Sequence, residues 1–423
     1  MIQRSALLKI AVVAAITVVL VISSFAATVS TRSVNRESAK SKSRVSENPR
    51  VQKRMSAMKK TRRSASKNKK KSSERSASRK RSRRYARRHR RYYERFHTSS
   101  FAENQTDGDL TAGEDPVVRA AAVEALGNMN GTVVAIDPQS GRILAMVNQK
   151  LALSGGAQPC STFKVAVGLA ALNENIITKD TKVALGRRYS MDLTQALAHS
   201  NNAYFEVLGR RLGFQKVSYY AHQFGMGELA GHDIEGEQLG RFPTTELASR
   251  LGGVGKMCSF GESISMTPLQ LGAMLAAISN GGTLYYLQHP ESPEEVASFQ
   301  PRVKRYLEIG RLIPEVNEGM LGTTQYGTGR SVRYNFAEEE VLGKTGTCSK
   351  DGTRFGWFAS YANTQYGKIV TVVFLRGGRP TFGPKAAEIA GRMYRNLYDH
   401  SYFAAKVPVT QSKKTDRSVG APE

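Results

Sequence analysis

The sequence has 423 residues, enough for one large domain or two ordinary ones, each able to bury a sizeable core. Its formal net charge of +27 would suggest a nucleic-acid binder, but residues 31–100 hold 27 Lys and Arg against four Glu, and the remainder is nearly neutral with no need of a polyanion. Three cysteines, Cys160, Cys258 and Cys348, exclude a disulfide-dense scaffold and leave at least one thiol without an internal partner.

The first element in the chain is an apolar run. After Arg4 and Lys9, Ile10 to Thr28 is uncharged and rich in Val, Ile and Ala. At about 1.5 Å per residue it can cross roughly 30 Å of hydrocarbon. Residues 1–30 are therefore expected to be a cytoplasmic stub and transmembrane anchor. Small residues around Ser24 to Ala27 leave a cleaved signal peptide as the alternative, although the run exceeds the usual h-region of roughly 7–15 residues.

Residues 31–112 are dominated by Ser, Lys and Arg and hold too little apolar surface to offset the entropy of ordering, so a disordered, self-repelling linker is expected. Arg81 to Phe96 (RSRRYARRHRRYYERF) interleaves basic with aromatic residues, a pattern suited to an anionic lipid surface or a polyanion. A solvated spacer is the plain alternative. Nucleic acid could bind such a stretch, but it is not the expected partner.

Folded patterning starts near Asp115, and the domain is expected to span 113–405, with a disordered tail over 406–423. Pro116 suits a first helical position, and Val117, Ala121, Val123 and Leu126 follow at roughly helical spacing. Gly131 to Asp137 and Ile143 to Val147 are β-rich runs joined by Pro138-Gln139-Ser140-Gly141, which reads as a hairpin. Helical patterns follow over Phe163 to Asn173, Asn202 to Leu212, Val217 to Phe224 and Pro268 to Ser279. Val341 to Gly346, Phe355 to Ala362 and Ile369 to Leu375 supply three late strands, and Pro384 to Tyr398 a last helix. Strands at both ends with helices between them imply a sheet closed by long-range pairing and covered by helices.

Three short segments can carry acyl-transfer chemistry, which needs a nucleophile, a base within reach and donors aimed at the oxyanion. Ser161-Thr162-Phe163-Lys164 opens a helical run, so Ser161 and Lys164 share one face, and burial with neighbouring charge can make the lysine a base. The helix N-terminus adds backbone N–H groups where an oxyanion would form. Ser200-Asn201-Asn202 offers a hydroxyl to relay a proton and an amide to hold a substrate amide. Lys344-Thr345-Gly346-Thr347 lies on a strand where the glycine admits a substrate backbone and Lys with two Thr can hold a carboxylate. Each motif is weak alone, but the three occur in the order of one catalytic set, with Asn201 in place of its aspartate.

With its surroundings, this set resembles the transpeptidase domain of high-molecular-weight penicillin-binding proteins over roughly residues 130–397. Val134-Ala135-Ile136-Asp137 with Ser140 to Met146 is similar to that family's opening hairpin. Ser265 to Leu271 with Asn280-Gly281-Gly282 resembles the helix before its third motif, and Gly356 to Tyr361 the strand after it. The resemblance implies an α/β fold of the α+β type, an antiparallel β-sheet flanked by helices on both faces, as in serine β-lactamases and penicillin-binding proteins. It further implies a peptidoglycan D,D-transpeptidase that also binds β-lactams covalently. Ser161 would form the acyl-enzyme and Lys164 take its proton, while Ser200 with Lys344 would pass a proton to the leaving amine. Asn202 would orient the donor stem peptide, Thr345 and Thr347 would bind a carboxylate beside Gly346, and the N–H groups of Ser161 and Thr347 would form the oxyanion hole. No metal or organic cofactor is implied.

The implied substrate lies outside the membrane, which overrides the charge asymmetry of the anchor, since Lys and Arg are denser after it and would otherwise place the body in the cytoplasm. The basic linker would then meet anionic lipid or a cell-wall polyanion. About 85 residues between anchor and domain leave no room for a glycosyltransferase or pedestal domain, so a minimal, single-activity enzyme is expected. Cys160 stands where the resembled family usually has glycine, and Cys348 follows Thr347 directly. The resemblance implies that these segments face each other, which would allow a disulfide in an oxidising compartment; two small buried side chains is the plainer reading.

The nearest rivals use the same acyl-enzyme: a β-lactamase, a D,D-carboxypeptidase or a β-lactam sensor. One group of β-lactamases carries a Glu-x-x-Leu-Asn segment, and Glu246-Leu247-Ala248-Ser249 does not match it. A non-catalytic scaffold with a polyanion-binding segment is the rival from another class. His199 reads as a helix-end or core histidine, and Trp357 and Tyr361 as sheet packing.

Overall fold

The computed structural model describes residues 95–404 except 366. The expected anchor, most of the basic linker and the tail lie outside the described residues. Among the described residues no helix is long and apolar enough to cross a membrane.

Helix α1 (Pro116–Leu126) starts where the sequence places it, because the Asp115 side chain accepts from the Val117 and Val118 amides and Pro116 fills the first turn. Strands β1 (Gly131–Ile136) and β2 (Ile143–Val147) form the expected antiparallel hairpin. Helices α2 (Lys164–Asn173), α3 (Leu193–Ala198) and α4 (Asn202–Gln223) follow. The two helical patterns read in α4 are one element broken at Gly213, whose φ of 74° and ψ of 164° are not helical. Then come α5 (Gly253–Phe260), α6 (Pro268–Ser279) and α7 (Ile313–Gln325). Helix α6 has the bounds read from the sequence, and its Thr267 and Gln270 side chains bond each other's backbone amides in a reciprocal cap.

The late strands β3 (Glu340–Lys350), β4 (Thr353–Thr364) and β5 (Gly367–Gly377) close the sheet against the first hairpin, in the order β2-β1-β5-β4-β3, antiparallel throughout. Helix α8 (Gly383–Asp399) ends the described fold. Side chains alternate between two cores. Val133, Ala135, Phe358, Val373 and Leu375 pack with α1 and α8, while Val134, Ile136, Trp357, Ala359 and Val372 join the core built on α2, α4 and α6. Both faces are thus covered by helices, as expected, and β1, β2 and the centre of β5 are apolar on both faces for that reason.

Residues 95–112, read from composition as linker, pack onto the folded body. His97 N–H donates to Gly352 O at 2.9 Å, Thr98 and Thr353 hydroxyls meet at 2.7 Å, and Ser100 Oγ accepts from Gly378 N–H at 2.9 Å. Asp109 accepts from the Asn148 and Gln149 amides and pairs with Arg119 at 2.7 Å. These are polar anchors to residues distant in the chain, which apolar periodicity cannot reveal.

Candidate active site

The nucleophile candidate sits on a single 3-10 turn, Cys160–Phe163, that runs directly into α2. Backbone sterics make this start unusual: Cys160 has φ of 53°, the left-handed region that a non-glycine residue enters at a cost. Thr162 Oγ1 ties the turn to Pro159 O at 2.7 Å, and the buried Trp357 indole donates to Gln158 O at 3.0 Å. Trp357 is itself stacked on Phe374, so sheet packing, its expected role, also holds the chain just before the turn.

Lys164 projects back beneath Ser161 and is fully buried. Its Nζ lies 3.0 Å from Ser161 Oγ, 2.8 Å from Ser200 O, 3.1 Å from Ser200 Oγ and 2.6 Å from Asn202 Oδ1. One amine therefore joins four of the oxygens that the first two motifs supply. Burial and, second, the positive charge of Lys344 hold its pKa well below the usual lysine range, against a smaller opposing pull from Glu206. A neutral amine has two N–H donors and one lone pair, so it can donate to Ser200 O and Asn202 Oδ1 while accepting the Ser161 hydroxyl proton.

The second motif takes its shape from α4. Asn201 Oδ1 accepts from Tyr204 N–H at 3.0 Å and caps the helix. Asn and Asp serve equally well at that position, so the departure from the aspartate of the motif costs the site nothing. The cap leaves Ser200, with φ of 54°, and Asn202 turned toward Lys164. Because Asn202 Oδ1 faces the lysine, its amide nitrogen is the atom left to donate to a substrate carbonyl. His199 ends α3, exposed, with its ring 5.7 Å from that of Tyr326.

The third motif lies on β3. Lys344 is fully buried, with burial lowering its pKa to about 7, and its Nζ donates to Thr345 O at 3.1 Å. No hydrogen bond joins Lys344 to Ser200 among the described residues. Gly346 lies against the nucleophile turn so closely that a Cβ there would come 2.9 Å from Pro159 O. Thr347 Oγ1 accepts from Gly383 N–H at 2.8 Å. Opposite in register, Gly346 faces Trp357 and Cys348 faces Phe355.

One contact was beyond motif reading. Thr328, in the turn after α7, has its Oγ1 2.6 Å from Thr345 Oγ1, while its N–H donates to Ala198 O at 3.1 Å. It thereby bridges the third motif to the chain leading into the second; the only hint in sequence is the Gly327-Thr328-Gly329 turn. Cys160 and Cys348 form the disulfide that the resemblance allows, with Cα atoms 5.7 Å apart across 188 residues of chain. The plainer expectation of two separate side chains is corrected. Cys258 remains a free, buried thiol whose pKa burial raises.

The family description "Penicillin binding protein transpeptidase domain" matches residues 131–398. The chain belongs to this family. Among its relatives is stage V sporulation protein D of Bacillus subtilis, 28% identical over 62% of this chain and 48% of that one. Another is peptidoglycan D,D-transpeptidase MrdA of Haemophilus influenzae, 23% identical over 71% of this chain and 58% of that one. The chain thus spans about half the length of the curated relatives it matches. In solved structures the same transpeptidase fold occurs in Pseudomonas aeruginosa PBP2, with a TM-score of 0.56 at 22% identity, covering 68% of this chain and 77% of that one. A Burkholderia ambifaria peptidoglycan glycosyltransferase gives a TM-score of 0.58 at 19% identity, covering 70% of this chain and 98% of that one.

Proposed function

We propose that this penicillin-binding protein is a peptidoglycan D,D-transpeptidase in which Ser161 carries the acyl group. The observation that carries the reading is the Lys164 amine, buried, depressed in pKa and 3.0 Å from Ser161 Oγ. Ser161 Oγ attacks the scissile carbonyl of a donor stem peptide as its proton passes to Lys164. The oxyanion is met by the N–H groups of Ser161 and Thr347. When the amide C–N bond breaks, the leaving amine takes a proton delivered from Lys164 through the Ser200 hydroxyl, 3.1 Å away. Lys344 supplies positive charge beside this relay rather than a direct hydrogen bond to it. An acceptor amine then attacks the ester, restores the serine and completes the cross-link. Asn202 holds the donor backbone, and Thr345 and Thr347 with Lys344 hold a carboxylate of the donor or of a β-lactam.

Slow hydrolysis of the ester fits the surroundings of Lys164. Its hydrogen-bond partners are hydroxyl, carbonyl and amide oxygens rather than a carboxylate, and Glu246 is exposed, which supports a transpeptidase over a β-lactamase. The apolar run at 10–28 anchors the chain in a membrane with the catalytic domain outside the cytoplasm, and the basic segment at 31–94 meets anionic lipid or a wall polyanion; the substrate's location and the segment's charge support this.

The test is incubation of the full chain with a stem-peptide donor and an amine acceptor, followed by mass analysis. Cross-linked product is expected. Release of the donor's terminal residue without cross-linking would replace transpeptidation by carboxypeptidation.

A further inference from the structure

The residue before the nucleophile combines two oddities. Cys160 is fully buried and left-handed, at a place where glycine would carry no conformational cost, and it is covalently joined to Cys348 on the substrate strand. Unconstrained, a side-chain-bearing residue there drifts toward the right-handed or extended regions, which would rotate the Ser161 N–H and Oγ off target. The bridge removes that freedom. It also fixes the separation between the Ser161 turn and the strand bearing Lys344, Thr345 and Thr347, the distance across which a substrate must be gripped.

We propose that the Cys160–Cys348 disulfide is a thiol-responsive clamp that positions Ser161 against β3, so that dithiol–disulfide exchange governs acylation. Cys160 and Cys348 are positioning residues, since neither supplies a reacting atom. The inference rests on the reading of Ser161 as the acylated residue. Cys348 is the half-buried partner and Cys160 the buried one, so an incoming thiolate attacks Cys348 Sγ. The S–S bond breaks, Cys160 leaves as a thiolate and takes up a proton, and a mixed disulfide forms on Cys348. The second thiol of the same dithiol then displaces Cys348, which also ends protonated. The protein gains two electrons and two protons and the dithiol becomes a disulfide. The reverse reaction, driven by an oxidised dithiol partner, restores the clamp.

The experiment measures the rate of fluorescent-penicillin acylation of the full chain in detergent, after equilibration with oxidised or with reduced dithiothreitol. A non-reduced digest of the same samples reports the linked peptide pair. The oxidised chain is expected to contain the linked pair and to acylate roughly tenfold faster than the reduced chain, the factor that one residue's left-handed penalty converts to. Reoxidation should restore the rate. The double variant Cys160→Ala with Cys348→Ala should be slow and indifferent to dithiothreitol, and Cys160→Gly with Cys348→Ala should recover part of the lost rate. Equal rates for oxidised and reduced chain, or absence of the linked pair from the oxidised chain, would overturn the clamp. Absence of any acylation in the oxidised chain would instead remove the Ser161 reading on which it rests.

Discussion

At the scale of single residues the site depends on an amine kept neutral. Replacing Lys164 by Met keeps most of the buried volume and removes the base, and acylation should fall by roughly 10²–10⁴ in a stopped-flow penicillin assay, the usual range for a lost general base. The sign of the pH dependence follows from the depressed pKa of Lys164: its neutral form grows as pH rises, so the acylation rate should climb to a plateau below the pH at which an ordinary lysine would titrate. A rate rising only near the normal lysine range would contradict this. Lys344 makes a second, separable prediction about stability. Its folded pKa of about 7 lies below the ordinary 10.5, so between those values the unfolded chain binds more protons and stability rises with pH. Below that window both states are protonated and the cost of burying the charge is fully felt. Denaturant titrations of the native chain and Lys344→Met should show the slope in the first and its loss in the second. Thr328→Val removes the hydroxyl beside Thr345 and should weaken substrate capture, raising KM several-fold more than it lowers kcat. The three motifs were legible because each keeps its reactive atoms in short sequence windows. Thr328 was not, because its role is set by a 2.6 Å contact between elements rather than by spacing.

At the scale of elements, local signals specified most of the helices and strands. Helix α6 was read from its pattern over Pro268 to Ser279, and β1 with β2 as a hairpin through Pro138 to Gly141. The break in α4 was also readable, since Gly213 interrupts the apolar spacing at the residue that takes φ of 74°. What local signals did not carry was how closely β3 packs on the Ser161 turn. Gly346→Ala puts a Cβ 2.9 Å from Pro159 O, so the strand or the turn must shift. Displacements near 1 Å at a reacting centre can cost about 10² in rate, so penicillin acylation of Gly346→Ala should fall by about that factor with little change in thermal midpoint. The disulfide, whose ends lie 188 residues apart, was open to reading only through the family resemblance. In the loop-entropy picture a closure of that length stabilises by at most roughly 5 kcal/mol, so reduction should also lower the thermal midpoint.

At the scale of the whole molecule, composition located the charge but did not show what residues 95–112 pack against. Polar, Ser-rich chain was read as linker up to residue 112, yet residues 95–112 are stitched to the body by hydrogen bonds and by the buried pairing of Arg119 with Asp109 and Glu114. Removing Asp109 leaves the Asn148 and Gln149 amides without their acceptor, at about 1–3 kcal/mol for each, while Arg119 keeps Glu114. Asp109→Ala should therefore lower stability by several kcal/mol in a denaturant titration, although it touches none of the motifs. The overall architecture was accessible because strands at both ends of the domain must close one sheet, and because β1, β2 and the centre of β5 are apolar on both faces. The proposed chemistry converges on one atom, Ser161 Oγ. The most direct measurement is intact mass of the full chain after exposure to a penicillin, for the native protein and for Ser161→Ala. One stable adduct of the penicillin's mass is expected on the native chain and none on the variant. An adduct that persists in Ser161→Ala, or none on either chain with the penicillin left intact, would contradict that chemistry.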